Sequence, residues 1–483
     1  MEKQDILSIN LSLISHTNIG KTTLARTLLG RDVGEIEDRP HVTLETNDYV
    51  LVRSADGLSQ LVLWDTPGFG DSVRLAKRLE GRANPVGWFV GEVWDRVSNK
   101  VLWLNQKILK HVKEKTTVVL YLVNASETPA LSDYVDSEMK ILSWIGKPVI
   151  VLLNQMGKPQ EPAKEKEEIN AWKEFLSAYP LVRKILPMDA FARCWIQEYA
   201  LFDAIADCLD EDKKATFEAL EDAWSRQRRA AYRNAMQALG SYIASLALDK
   251  EHVAEMSVGE QIKDLGRHVG IVRSEDGPIA DAKNALASRA ADRLCALTET
   301  LIGIYGLEGK GTKREILRRV KRDWSVHSAA NPKSAAVLGA IGTGAASGLA
   351  ADMVSGGLTL GLGALLGTVV GAIGGYGAAF GINKMKGVSG NDISWSREAI
   401  ENFILEAELL YLAVSHFGRG RGFWVESEAP AFWKDTVIAE MKRQDKLPDL
   451  TAVKTPDETE AAATKVCDTL TRNVLYTLYK RTV

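Results

Sequence analysis

Along the first third of the chain, apolar residues gather in short runs rather than in long stripes. Residues 6 to 14, ILSINLSLI, alternate apolar and polar positions, the two-residue period of a strand with one face buried. LVLW (61 to 64), VVLYLV (118 to 123) and PVIVLL (148 to 153) are continuous apolar runs bounded by turn or loop residues. Runs of this length predict strands of a sheet covered on both faces by helices. From about residue 211 the period changes. Phe217, Leu220, Trp224, Ala231, Tyr232, Met236, Leu239, Ile243 and Leu246 recur at spacings near three, four and seven, which predicts an amphipathic helix. Residues 334 to 383 have a third texture, rich in Gly and Ala, with Asp352 as the only formal charge. The pattern predicts an α/β domain over 1–210, mostly parallel sheet with helices on both faces. An all-α part follows: a helical domain over 211–333, a glycine-rich hydrophobic hairpin over 334–383 and a helical C-terminal region over 384–483.

The first strand runs directly into SHTNIGKTTLARTLLG, residues 15 to 30, a strand, loop and helix in that order. This is the P-loop pattern G-x-x-x-x-G-K-[ST], except that Ser15 stands in the first glycine position. Serine is small and leaves every backbone N–H in place. The candidate phosphate contacts are Ser15, Asn18, Ile19, Gly20, Lys21, Thr22 and Thr23, with Lys21 neutralising the β/γ oxygens and the Thr22 hydroxyl suited to Mg2+. At the end of the LVLW strand comes DTPGFGDS, residues 65 to 72. It offers Asp65 as the second Mg2+ partner and the Gly68 N–H to the γ-phosphate. Between them, RPHVTLE supplies Thr43, whose hydroxyl suits the metal shell while a γ-phosphate is present. Lys21, Thr43 and Gly68 are thus the candidate catalytic residues, and Thr22, Thr43 and Asp65 the metal set.

TNIGKTTL, DTPGFGDS and VVLYLVNA resemble an Era-like GTPase of the translation-factor-related class over roughly residues 6 to 210. The resemblance implies GTP as substrate with Mg2+, Asn154 at the guanine edge, and a backbone contact from Ala190 in MDAFAR. Two departures matter. PVIVLL is followed by Asn154, Gln155, Met156 and Gly157, without the guanine-reading Asp of N-K-x-D, so an ATPase stays an alternative. Phe69 follows DTPG where many signalling GTPases place a water-orienting glutamine. Asn18 matches the position that ligates K+ in cation-activated members of the class, which generally act as facing dimers; the alternative is an asparagine that simply turns the loop. A helical insert at about 73–115 with NPVGWFVGEVWDRVSNKVLW, together with VLLNQ and HFGRGRG, is similar to a bacterial family in which this GTPase domain precedes domain of unknown function 3482. That resemblance further implies a membrane-linked companion carrying domain of unknown function 2868.

In the glycine-rich stretch, Ala336, Ala340, Gly344 and Gly348 lie four apart, as do Gly363, Gly367, Gly371 and Gly375. On helices each series forms a small-residue stripe that lets backbones approach closely in a membrane. As helices, 334–351 and 358–382 span roughly 27 and 37 Å, against about 30 Å of hydrocarbon. Lys313, Arg314, Arg318, Arg319, Lys321, Arg322 and Lys333 precede the stretch, and Lys384 and Lys386 follow it. Positive charge on both flanks places both ends at the cytoplasmic face of the inner membrane, with lipid as the partner of 334–383. The alternative is a buried soluble helical pair.

Composition narrows the remaining classes. A formal charge of -3, from 60 basic and 63 acidic residues, gives no global reason to expect nucleic acid. Cys194, Cys208, Cys295 and Cys467 have no metal-ligand spacing and fit reduced thiols. MEKQDILSINLSLIS lacks the basic-then-apolar form of a secretory leader. Tryptophans such as Trp88, Trp94 and Trp103 fit core anchors, and Arg419 and Arg421 of HFGRGRG are an anion-site candidate or part of a helix-end loop. These patterns predict a GTP-hydrolysing switch coupled to a membrane-associated helical domain, dimeric or oligomeric; the alternatives are a pore-forming or structural membrane protein gated by nucleotide, or an ATPase.

Overall fold

The computed structural model describes residues 6–31, 33, 46–92, 100–129, 132–155, 162–188, 194–253, 278–307, 380–384, 391–417, 431–444, 447–453 and 455–483. They divide into two compact units, one of residues 1–230 with 415–424, the other of 231–414 with 425–483. Thr43, Ala190, Trp94, Arg419, Arg421 and residues 334–379 of the glycine-rich stretch lie outside the described residues.

The first unit is a six-stranded sheet. Its strands are β1 (Leu7–Ile14), β2 (Asn47–Arg53), β3 (Ser59–Asp65), β4 (Val118–Asn124), β5 (Val149–Asn154) and β6 (Val182–Pro187), in the order β2-β3-β1-β4-β5-β6. All neighbours are parallel except β2, which runs antiparallel to β3 at the sheet edge. The central strands are apolar on both faces because helices cover both; every residue of β5 and all but the last of β4 are buried. Register brings Leu13 beside Asp65 and Asn124 beside Asn154, which aligns the carboxyl ends of these strands. In open α/β sheets ligands bind at those ends.

Three helices join β3 to β4: α2 (Ser72–Leu79), α3 (Pro85–Gly91) and α4 (Lys100–Glu114). This is the segment predicted as an insert, and it is built into the main core. Phe69, Leu75, Leu79, Phe89, Ile108 and Val112 pack with Tyr121 and Val123 of β4 and with Met139 of α5 (Asp133–Ser143). Each such side chain contributes roughly 1.5–3 kcal/mol by leaving water. Asn84 starts α3, its side chain accepting from Gly87 N at 3.0 Å, with Pro85 at the first helical position. Helices α1 (Lys21–Leu29), α6 (Pro162–Leu176) and α7 (Trp195–Ala206) complete the layers.

A long helix, α8 (Glu211–Ala247), contributes its residues through Ala230 to the first unit and the remainder to the second. The second unit is otherwise built on α9 (Pro278–Ile304), α10 (Arg397–Ser415), α11 (Ala431–Arg443) and α12 (Pro456–Tyr479). It is helical but not all-α. Three short antiparallel strands, β7 (Lys250–Val253), β8 (Phe380–Lys384) and β9 (Asn391–Trp395), form a sheet ordered β7-β9-β8. The predicted hairpin is corrected at its end, because residues 380–383 pair as a strand with β9 rather than finishing a helix. Among the described residues, no helix is long and apolar enough to cross a membrane.

Candidate nucleotide site

The carboxyl ends of β1, β3 and β5 carry the loops predicted to bind nucleotide, and the sheet order places β3 and β4 on either side of β1. The loop from Ser15 to Gly20 leads directly into α1. Gly20 adopts φ 93°, a left-handed conformation, and a Cβ there would sit 2.9 Å from Asn154 Nδ2. Backbone and neighbour both require glycine at this position. Asn18 is also left-handed, at φ 62°, and exposed, a conformation asparagine tolerates.

Lys21 folds back over its own loop, donating from Nζ to Ser15 Oγ at 3.0 Å and to the His16 carbonyl at 3.3 Å. Ser15 therefore adds a lysine acceptor that the pattern's glycine lacks. Burial lowers the Lys21 pKa to about 8, an effect opposed by the charges of Asp65 and Glu138. Thr22 Oγ1 donates to Asp65 Oδ2 at 2.7 Å. Asp65 is buried, which raises its pKa against the Thr22 hydrogen bond and the Lys21 charge. Its other oxygen, Oδ1, is buried with no hydrogen-bond partner among the described residues. A carboxylate with an unsatisfied buried oxygen beside a hydroxyl is the donor set of a hard divalent cation completed by water and phosphate oxygens. Thr22 and Asp65 would hold Mg2+, which when bound neutralises phosphate charge; Thr23 is buried on the same turn.

Gly68 lies against the P-loop, and a Cβ there would come within 2.8 Å of Thr17 Cα and 3.0 Å of Lys21 Nζ. Phe69 N donates to the Ser15 carbonyl at 2.9 Å, tying the two loops together. The Phe69 side chain is fully buried in the core. A buried hydrocarbon ring has no donor or acceptor with which to orient water.

Asn154, predicted at the guanine edge, is buried at the end of β5, where Nδ2 donates to the Ile19 carbonyl at 2.7 Å. Its side chain thus braces the P-loop from the end of β5. Behind that loop is an arrangement absent from the expectations. His16 Nδ1 lies 2.8 Å from Glu138 Oε1, Tyr121 donates its hydroxyl to Glu138 Oε2 at 2.7 Å, and Tyr134 stacks on His16 at 4.7 Å. Glu138 is wholly buried, and Tyr121, also buried beside it, has its pKa pushed well upward by desolvation and by that carboxylate. The site brings together Ser15, Ile19, Gly20, Lys21, Thr22, Asp65, Gly68 and Asn154. The one sequence sign of Glu138 is its place on the apolar stripe of α5 with Val135, Met139 and Leu142.

Fold and loop geometry together define a P-loop nucleotide-binding domain of the GTPase class. Residues 10–155 match the model of the 50S ribosome-binding GTPase family, and residues 182–472 match that of Domain of unknown function (DUF3482). The chain belongs to the DUF3482 family, with an Era-like GTPase domain at its N-terminal end. It is similar to the GTPase Era of Heliobacterium modesticaldum, 29% identical over 146 residues that cover 30% of this chain and 39% of that relative. Similar solved structures include Aquifex aeolicus Era bound to GDP.AlF4-, with 20% identity, TM-score 0.30 and coverage of 43% of this chain and 58% of that one. Era in complex with MgGDPNP and nucleotides 1506-1542 of 16S ribosomal RNA is another, with 22% identity, TM-score 0.30 and the same coverage. The chain thus spans less than two thirds of the length of each of these relatives.

Proposed function

We propose that this protein is a Mg2+-dependent GTP-binding and GTP-hydrolysing switch whose helical part engages a membrane at its cytoplasmic face. The observation that carries the nucleotide reading is the meeting of Thr22 with Asp65 at 2.7 Å directly beneath the loop that Lys21 closes. Backbone N–H groups and the start of α1 face the phosphates, Lys21 neutralises the β/γ oxygens, and the Gly68 N–H meets the γ-phosphate. Phe69 supplies no water-orienting group. A K+ ion at Asn18, completed by dimerisation, is the proposed source of the missing charge, as in cation-activated members of the class.

Coupling to the helical part is proposed to start at α8. Its Arg228 donates to the carbonyl of Leu28 in the last turn of α1 at 3.2 Å, and to Glu198 of α7 at the same distance. A shift of the P-loop helix would thus be felt by a helix that continues past Ala230. The membrane reading rests on the apolar, small-residue composition of 334–383, and a membrane-linked companion with domain of unknown function 2868 is the proposed protein partner.

The test is titration of the full chain with labelled GTP and ATP, alongside Lys21→Ala and a K+-for-Na+ exchange. We expect GTP to bind and turn over, ATP to compete poorly, Lys21→Ala to lose both properties, and K+ to raise turnover. Equal use of ATP would select the ATPase alternative. Wild-type turnover in Lys21→Ala would refute the site.

A further inference from the structure

We propose that Asn105, on α4, is a positioning residue for GTP hydrolysis that holds the DTPGFG loop through the backbone of Gly70. The inference rests on the GTPase reading above. Asn105 is fully buried, and its amide pairs both backbone groups of a single residue: Oδ1 accepts from Gly70 N at 3.2 Å, and Nδ2 donates to the Gly70 carbonyl at 2.7 Å.

Gly70 lies two residues beyond Gly68, and the intervening segment is fixed on three sides. Gly68 abuts Thr17 and Lys21, the Phe69 N–H is held by the Ser15 carbonyl, and the Phe69 ring is sealed into the core that α2, α3 and α4 build. Asn105 is the fourth restraint, and it hydrogen-bonds the backbone of the loop to the helices between β3 and β4. Those helices are themselves tied together at this point. The next residue, Gln106, donates from Nε2 to the carbonyls of Phe89 and Val90 in α3 at 3.1 and 3.0 Å.

The chemistry gives this clamp its role. In a nucleotide switch the segment after the γ-phosphate-facing glycine changes place between nucleotide states. Many signalling GTPases carry a glutamine in that segment to orient the attacking water; here the corresponding residue is Phe69, whose ring is buried. The backbone of 68–70 is therefore what remains to shape that side of the γ-phosphate. An amide that must pair or release Gly70 as the loop moves links loop position to α4. Truncating Asn105 would leave the Gly70 N–H and carbonyl buried without partners, a loss large enough to displace the loop.

The experiment compares wild type with Asn105→Ala and Asn105→Asp. Single-turnover GTP hydrolysis, binding of fluorescent GDP and hydrogen exchange at the Gly70 amide are measured. Asn105→Asp keeps the acceptor for the Gly70 N–H but loses the donor to its carbonyl, so it stays informative if the alanine variant fails to fold. Phe89→Leu loosens the same core without touching the amide and serves as the stability control. We expect turnover to fall by about 10- to 100-fold, as one or two lost hydrogen bonds of this kind allow. GDP affinity should stay within about twofold, and Gly70 exchange should quicken in Asn105→Ala, while Phe89→Leu retains its rate constant. A clamp that is merely structural would lower stability in both variants and leave turnover alone. Wild-type turnover in a folded Asn105 variant, or equal losses of GDP affinity and rate, overturns this inference only. Absence of GTP hydrolysis in the wild-type protein overturns the parent reading as well.

Discussion

Thr22 and Asp65, 43 positions apart in the chain, are joined by a 2.7 Å hydrogen bond that uses only one of the two carboxylate oxygens. The second oxygen is buried with no hydrogen-bond partner among the described residues. An uncompensated buried carboxylate oxygen is costly, so the arrangement favours a cation that accepts it. Asp65→Asn removes the charge while keeping size and a hydrogen-bond acceptor. We expect its GDP affinity with Mg2+ to fall by about 10- to 100-fold, to the level seen in EDTA, a change of roughly 1.4 to 3 kcal/mol. Affinity in EDTA itself should match wild type. Fluorescent-nucleotide titration in both conditions checks this, and equal losses with and without Mg2+ would deny a metal role.

Lys21 provides the second prediction. Burial lowers its pKa to about 8 from an ordinary value of 10.5. Phosphate oxygens would favour the charged form, so binding takes up a proton wherever the free protein holds Lys21 neutral. Uptake should be about a tenth of a proton at pH 7, about half at pH 8 and about nine-tenths at pH 9, with affinity falling about fivefold between pH 8 and 9. Calorimetry in two buffers of different ionisation enthalpy measures it. Lys21→Arg, charged throughout, should show no uptake over this range, and a wild type that behaves identically would contradict the prediction.

How much of this was legible beforehand depends on whether a signal is local. Strands β3, β4 and β5 are interior and contain apolar runs, and interior β1 alternates apolar and polar residues, so the sequence shows all four directly. Strands β2 and β6 lie at the sheet edges, where exposed positions such as Asn47, Asp48, Arg183 and Lys184 dilute the pattern. The small sheet of the second unit is harder still, since KEHV, FGINK and NDISW are four or five residues long and weakly alternating. Gly20, Lys21, Thr22 and Asp65 belong to contiguous motifs with a known chemistry and could be named in advance. Asn105, Glu138 and Tyr121 act through partners 35, 122 and 17 positions away. Only folding brings such pairs together.

The second unit should show its own pH dependence through Glu408 of α10. This carboxyl is fully buried, accepts from Thr471 Oγ1 of α12 at 2.7 Å on one oxygen, and leaves Oε1 buried without a hydrogen-bond partner among the described residues. Desolvation raises its pKa to about 8, against the Thr471 bond, from an ordinary 4.5. The folded state therefore holds a proton that the unfolded chain releases. Its contribution is fully present below about pH 4.5 and is lost as pH rises through about 8, on the order of 5 kcal/mol in all. Glu408→Gln stays neutral at every pH. Chemical denaturation of both proteins from pH 5 to 8.5 should give a stability difference that grows with pH in favour of the variant. A difference constant with pH would show that Glu408 titrates normally.

The last prediction concerns the glycine-rich residues 334–383, whose composition motivates the membrane part of the proposal. The stretch is apolar enough to insert, yet Gly and Ala make insertion only modestly favourable compared with a segment of Leu, Ile and Phe. A marginal equilibrium is one that a switch can bias, and a ligand biases it only by binding the two states with different affinity. Allosteric couplings of about 1 to 3 kcal/mol would change lipid partitioning by roughly 5- to 150-fold between nucleotide states. Co-sedimentation with anionic liposomes, in GDP, in a non-hydrolysable GTP analogue and without nucleotide, reads this directly. Gly367→Leu and Gly371→Leu add hydrophobicity while obstructing close helix approach, so they should raise lipid binding and flatten its dependence on nucleotide. Equal sedimentation in every nucleotide state would remove the switch and leave an anchor. No sedimentation under any condition, in wild type and both variants, would make residues 334–383 part of a soluble core and refute membrane engagement.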